Sequence, residues 1–317
     1  MESEKEVKYL TKKERRQIPR QHMPELAPEI RNKCFDEVTL GYSLHEAQLE
    51  AARCIQCKDP QCIVGCPVSI NIPSFLEQIV EGDLDSAINT VWDKTALPAV
   101  CGRVCPQEMQ CEVVCVVGLK KGREPVGIGN LEMFIADWAR DNGVKNIVEI
   151  PPKTGKKVAV IGSGPAGITV AGDLAKKGHE VVIYEALHKA GGVLLYGIPE
   201  FRLAKDIVDY ELDALRELGV KIECNNVIGR TIDIDELLEE MGFDAAFIGV
   251  GAGLLMKKYI GYTWLLWLGV FWGVAAAILN IRRAYLKQKA DLDTLKDDPK
   301  YKHANTNYDD DEDDDKY

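Results

Sequence analysis

Eight cysteines fall into two quartets, Cys54-x2-Cys57-x4-Cys62-x3-Cys66-Pro67 and Cys101-x3-Cys105-Pro106-x4-Cys111-x3-Cys115. A [4Fe–4S] cube needs four ligands converging from different directions. Thiolates a few residues apart in turns supply three of them, and the fourth comes from elsewhere. A proline directly after a cysteine, as at Pro67 and Pro106, ends such a ligand loop and keeps the chain off the cluster. Zinc is the competing reading, but zinc ribbons favour paired Cys-x2-Cys knuckles and only Cys54–Cys57 has that spacing. The N-terminal run MESEKEVKYLTKKERRQIPR has no apolar stretch of signal-peptide type. The cofactor-bearing part is therefore expected in the cytoplasm, where thiols stay reduced and clustered cysteines act as ligands rather than disulfides. Cys34 and Cys224 stand apart and read as small buried hydrophobes.

The segments differ in composition. Residues 1–42 are charged, carry Pro19, Pro24 and Pro28, and read as an arm lying over something else. Residues 43–150 hold the quartets between helical patterns and read as an α-helical iron–sulfur domain. Ser43-Leu-His-Glu46 spells a capping box opening a helix that runs into Cys54, and Pro73–Val80, Asp83–Asp93 and Asn130–Arg140 have helical spacing.

Pro151-Pro152 marks a linker, and residues 151–253 read as an α/β domain. Lys157–Ile161 and Val181–Glu185 are short apolar runs flanking a helical stretch, the pattern of a βαβ unit with buried parallel strands. Asp244–Val250 is a third strand candidate. Between the first strand and its helix lies Gly162-Ser-Gly164-Pro-Ala-Gly167. Gly162 permits the tight turn, Gly164 the approach of a pyrophosphate, and Gly167 close packing of helix on strand. The amides at the helix start favour phosphate. Glu185, at the end of the next strand, is placed to bind a ribose hydroxyl and to repel a 2′-phosphate, which favours FAD or NAD over NADP. Ala190-Gly191-Gly192 and Gly249-Val-Gly251-Ala-Gly253 offer further backbone to a long dinucleotide such as FAD.

The last segments depart from this pattern. Tyr259–Ile281 is 23 residues without a charge, bounded by Lys257-Lys258 and Arg282-Arg283. A bilayer core of ~30 Å needs ~20 apolar residues, so residues 254–290 read as one transmembrane helix with basic flanks, anchoring the protein to the inner (cytoplasmic) membrane. A buried core helix is the alternative. Residues 291–317, with 11 acids against 4 lysines, read as a disordered acidic tail. The net charge of −11 disfavours nucleic acid as a partner, because neutralising phosphates needs a basic face.

The strings CIQCKDPQCIVGCP, CGRVCPQEMQCEVVC, IGNLEMF, VIGSGPAG and GGVLLYGIPEFRL resemble the small subunit of glutamate synthase. They are equally similar to the large subunit of the electron-bifurcating NADH-dependent ferredoxin:NADP oxidoreductase and to the N-terminal part of dihydropyrimidine dehydrogenase. The resemblance covers residues 20–253. It implies an α-helical domain with two [4Fe–4S] clusters followed by a Rossmann-like FAD-binding domain. It also implies that ligands cross between quartets: Cys54, Cys57, Cys62 and Cys115 for one cluster, and Cys66, Cys105, Cys111 and Glu132 for the other, with Cys101 a spare thiol. FAD contacts map onto Gly162, Gly164, Pro165, Ala166, Gly167, Glu185, Gly192 and Arg202, and no catalytic acid or base is implied. Val250 stands where these relatives usually have threonine.

The relatives continue into a second domain that binds NAD or NADP, their electron donor, before completing the FAD domain. Here the apolar run takes its place, so the flavin domain is expected to be partial and the chain inactive alone. The implied function is an electron-transfer flavoprotein oxidoreductase subunit moving electrons between a nicotinamide nucleotide, FAD, two clusters and a partner subunit. The rival is a membrane-tethered cluster relay or assembly subunit with a flavin-free Rossmann half.

Overall fold

Ser43 opens the first long helix of the cysteine region as its spelling predicts. Its Oγ accepts from the Glu46 amide at 3.3 Å, and the Glu46 carboxylate accepts from the Ser43 amide at 2.8 Å, which completes the capping box. The structure is a computed structural model that describes residues 7–120, 122–146 and 150–248. Val250, the run Tyr259–Ile281 and the acidic tail lie outside the described residues. Among the described residues no helix is long and apolar enough to cross a membrane.

The arm carries two one-turn helices, α1 (Lys12–Arg15) and α2 (Pro28–Arg31). It folds back on itself through Leu26 N–H to the Val38 carbonyl and Leu40 N–H to the Pro24 carbonyl, both 2.8 Å. It is also tied down at several points: Arg15 pairs with Glu77 at 2.9 Å, and the Gln21 amide donates to buried Glu50 at 2.7 Å. The Val38 amide donates to the Phe201 carbonyl at 3.2 Å.

The cysteine region consists of α3 (Leu44–Ala52), α4 (Gln61–Gly65), α5 (Ile72–Glu81), α6 (Leu84–Trp92), α7 (Pro98–Val104) and α8 (Ile128–Asp141). The three helices expected from spacing are thus found, with ends shifted by a residue or two. In α5 the positions Ile72, Phe75, Leu76, Ile79 and Val80 form one buried stripe at helical spacing. Gly82, at φ +82°, ends the helix in the left-handed conformation glycine tolerates. The stripe packs with Ala87, Ile88 and Val91 of α6 and Leu131 and Ile135 of α8 in a single apolar core.

The second half runs β1 (Lys157–Ile161), α9 (Pro165–Lys176), β2 (Glu180–Tyr184), α10 (Val193–Tyr196), α11 (Lys205–Glu217), β3 (Lys221–Glu223), a π-helical turn (Glu236–Glu240) and β4 (Ala245–Ile248). All pairings are parallel, in the order β3-β2-β1-β4. The central strands are apolar on both faces because both are covered. Val160 and Ile183 pack with Ile168 and Ala171 of α9, while Ala159, Val182 and Tyr184 pack with Leu237 and Phe243.

Helix α7 joins the two halves. It carries Cys101 and ends at Cys105, yet Ala99 and Val100 belong to the same apolar core as α9 and α11. Its N-cap residue, Leu97, has no polar side chain to cap the first turn, although the Leu97 amide itself donates to Thr95 Oγ1 at 3.1 Å. The amide of Ala99 instead donates at 2.8 Å to Glu211 of α11, a carboxylate only 2% exposed.

Candidate iron–sulfur and dinucleotide sites

The first group of ligand candidates gathers around the end of α3. Cys54 follows that helix, Cys57 lies in a loop that turns through Gln56 at φ +51°, and Cys62 sits on α4. Cys115 arrives from the second quartet. These four line one small, largely apolar pocket with Val117 and Val126. The approach depends on Gly65, where a Cβ would stand 2.9 Å from both the Gln110 carbonyl and the Val114 side chain. Burial, with the neighbouring Cys62, Cys115 and Cys57, pushes the Cys54 thiol up to about 12. Burial and the neighbouring Cys115 and Cys57 push Cys62 up to about 11. Cys54 and Cys62 are therefore disfavoured as bare thiolates in this apolar pocket, and coordination to a cationic metal would offset that charge.

The second group forms at the ends of α4 and α7. Cys66 follows α4 and is succeeded by Pro67, and Cys105 follows α7 and is succeeded by Pro106. Cys111 is buried. Burial raises the Cys105 thiol to about 11, and the neighbouring Glu132, Cys66 and Glu108 add to it. Cys111 is raised by burial and by Glu112, Glu132, Cys66 and Cys105. Cys105 and Cys111 thus each lie near both Cys66 and Glu132, while Cys54, Cys57, Cys62 and Cys115 share the first pocket.

Glu132 is the least ordinary of them. It lies on the first turns of α8, fully enclosed, and its Oε1 has no hydrogen-bond partner. Burial, then the nearby Glu211, lifts its carboxyl to about 8. A buried unpaired carboxylate oxygen costs ~1–3 kcal/mol or more unless something binds it, and an iron of a cluster fits that need. Among the described residues no group of three or more His, Cys, Asp or Glu is drawn in tightly enough for a single metal ion. A cube spreads its ligands wider, because each sulfur binds a different iron.

Two acids that sequence reasoning passed over fix α8 in place. Glu50, wholly buried, accepts from Gly127 N–H and Gln21 N–H at 2.7 Å each and from Arg53 at 2.5 Å. Glu112 accepts from Gly129 N–H and from Arg20, both at 3.2 Å. Both carboxylates serve the N-terminal amides of α8, where free donors and a partial positive charge favour them. Glu50 stands four residues before Cys54, and Glu112 directly follows Cys111, so the helix bearing Glu132 is tied to both quartets. Their signal was acid beside ligand, which in sequence reads as solvated charge.

The remaining cysteines differ from expectation in part. Cys224 is half-buried against the α/β core, while Cys34 donates to the Ile30 carbonyl at 3.5 Å in the arm; neither is fully buried. Cys101 is treated below.

In the α/β half, Gly162 turns at φ +95° and donates its amide to the Tyr184 carbonyl at 2.8 Å. A Cβ on Gly167 would stand 2.0 Å from the Gly162 carbonyl oxygen, so helix and strand meet there as the motif predicts. Gly164 starts α9, followed by exposed Pro165 and Ala166. Gly192, at φ +51°, has its backbone against Gly164, where a Cβ would lie 2.8 Å from the Gly164 Cα.

Glu185 follows β2. Its Oε2 accepts from the Ser163 amide at 2.9 Å and from the Ser163 hydroxyl, and its Oε1 accepts from the Leu187 amide at 2.9 Å. Burial alone would raise its pKa, but the bonds from Ser163, Leu187 and Ala186 hold the carboxyl below the usual range. Ser163, unremarked in the motif, also accepts from the Gly191 amide at 2.9 Å, so one hydroxyl joins both glycine segments to the acid. Arg202 lies elsewhere, exposed on the wall of a 430 Å³ cleft shared with Arg20, Thr39, Gln107 and Glu108.

Residues 31–144 match the family described as dihydropyrimidine dehydrogenase domain II, 4Fe-4S cluster, and residues 160–217 match an NAD(P)-binding Rossmann-like domain. The chain is 36% identical over 234 residues to the glutamate synthase [NADPH] small chain of Escherichia coli K12, covering 74% of this chain and 49% of that one. It is 38% identical over 235 residues to the corresponding chain of Halomonas elongata, covering 74% and 49%. The NAD-dependent dihydropyrimidine dehydrogenase subunit PreT of E. coli O157:H7 is 36% identical over 220 residues, covering 69% and 52%. The chain spans about half the length of these relatives.

Proposed function

We infer that this chain, homologous over 74% of its length to glutamate synthase small chains and over 69% to PreT subunits, is an iron–sulfur flavoprotein subunit of an oxidoreductase. Its proposed role is to pass electrons between a nicotinamide nucleotide and a partner subunit. One observation supports the reading: seven quartet cysteines gather in two places, Cys54, Cys57, Cys62 and Cys115 around one pocket and Cys66, Cys105 and Cys111 near Glu132, whose buried Oε1 has no partner. Bound FAD would split two-electron transfer into single-electron steps, and the clusters would relay those electrons. Cys54, Cys57, Cys62 and Cys115 would hold one cluster, and Cys66, Cys105, Cys111 and Glu132 the other. Gly162, Gly164, Pro165, Ala166, Gly167 and Gly192 would lie along the FAD pyrophosphate, and Glu185, fixed by Ser163, would accept from a ribose hydroxyl. Arg202 borders the cleft shared with Gln107 and Glu108, on the side of the second ligand set.

Metal and flavin analysis of the purified full chain tests this. About eight iron and eight sulfide with one FAD per chain are expected, and zinc without iron would overturn it.

The uncharged run Tyr259–Ile281 favours a second reading, a membrane-tethered relay with an empty flavin fold. Iron without acid-releasable flavin, in a protein that sediments with vesicles through carbonate washing, would favour it over the first. Release of the chain by carbonate removes the tether from either reading.

A further inference from the structure

Cys101 occupies a position that neither crossed set uses. It stands one helical turn before Cys105, and the Cys105 amide donates to the Cys101 carbonyl at 3.1 Å, so the two side chains share one face of α7. Helices α7 and α8 are in their tightest contact beside it: a Cβ on Gly102 would lie 2.4 Å from the Met133 amide nitrogen. Cys101 and Glu132, the chain neighbours of those two residues, are therefore brought to the same junction. The Cys101 thiol is largely enclosed, lies within electrostatic reach of Glu132, Cys105 and Glu211, and makes a long contact of 3.9 Å to Thr95 Oγ1. The Glu132 carboxylate, on the helix that meets α7 at Gly102, is buried with an unpartnered Oε1. The junction thus holds two donors for one ligand position, a hard carboxylate and a soft thiol. A thiolate is the commonest donor to cluster iron, so Cys101 is chemically able to replace the carboxylate.

We propose that Cys101 is an alternative fourth ligand of the second cluster, able to bind the iron that Glu132 would otherwise hold. The proposal rests on the two-cluster reading above. The exchange balances within the site: the iron–oxygen bond breaks, an iron–sulfur bond forms, and the thiol proton passes to the released Glu132 carboxylate. No outside reactant is needed, and the net charge of the pocket does not change.

Iron and sulfide content, with the electron paramagnetic resonance spectrum of the reduced protein, is measured on the full chain and on Glu132→Ala, Cys101→Ser and the double variant. Glu132→Ala should keep about eight iron with an altered signal from one cluster, because Cys101 takes over. Cys101→Ser should keep about eight iron and the parent signal. The double variant should fall to about four, and retention of those four with the parent helical circular dichroism shows that the chain still folds. If Glu132→Ala alone falls to about seven or four, or if the double variant keeps about eight, the proposal is overturned. Loss of iron from Cys101→Ser alone overturns it too, because Cys101 is then the resident ligand. A parent protein with no iron overturns the two-cluster reading itself.

Discussion

The two halves of the molecule assemble their candidate sites in opposite ways. In the α/β half the glycine loop, its helix start and the acid after β2 lie within 24 residues, from Gly162 to Glu185, and backbone geometry builds the site. In the helical half the ligand sets draw on positions from Cys54 to Glu132, and buried charges hold the segments together. The backbone-built site depends on absent Cβ atoms, whereas the side-chain-built site depends on carboxylates that reach across the fold. The first should respond to added bulk and the second to lost charge.

Glu50→Ala is the severest test of that contrast. It removes the carboxylate partner of Arg53, only 5% exposed, leaving the guanidinium the Glu124 and Pro125 carbonyls, and frees the amides of Gly127 and Gln21, so it should cost about 3–5 kcal/mol in thermal or chemical unfolding. Hydrogen exchange should rise in α3 and α8 before β1 and β2, and uniform loss of protection would show that the halves do not differ in this way. Gly167→Ala forces a Cβ onto the Gly162 carbonyl and should cost ~1–3 kcal/mol with loss of flavin, while iron content stays at the parent value.

Glu211 tests the junction through pH. Burial lifts its carboxyl to about 8 in the fold, above its value in an unfolded chain, so the native state binds the extra proton. Its contribution is fully present below the unfolded pKa and is lost as pH rises through the folded pKa. Unfolding midpoints should therefore decline from about pH 5 to 8, and Glu211→Gln, which keeps an acceptor for Ala99, should flatten that decline. An unchanged slope would place the titration elsewhere. The smallest effect is expected at Ser43→Ala, which removes an exposed cap and should cost about 1 kcal/mol with iron and flavin unaltered.

What could be read from the sequence follows the same division. The capping box at Ser43, the stripe of α5, strands β1 and β2 and the glycine loop all depend on neighbours in sequence. β3 was missed because Lys-Ile-Glu is three residues long, with charges on either side of one apolar position. Glu211, Glu50 and Glu112 were missed because a charged residue on an amphipathic or irregular segment reads as solvent-facing. Only the fold turns each one inward, onto an amide from another segment. The crossing of the ligand sets came from family resemblance, since spacing alone fits several pairings.

The five-residue helix α4 has a consequence of its own. Cys62 lies on it and Cys66 directly follows it, yet the two face different ligand sets. At ~1.5 Å rise per residue their backbones are anchored ~6 Å apart along one rigid peg. With both clusters bound, a shift of this one short helix would displace a ligand of each at once.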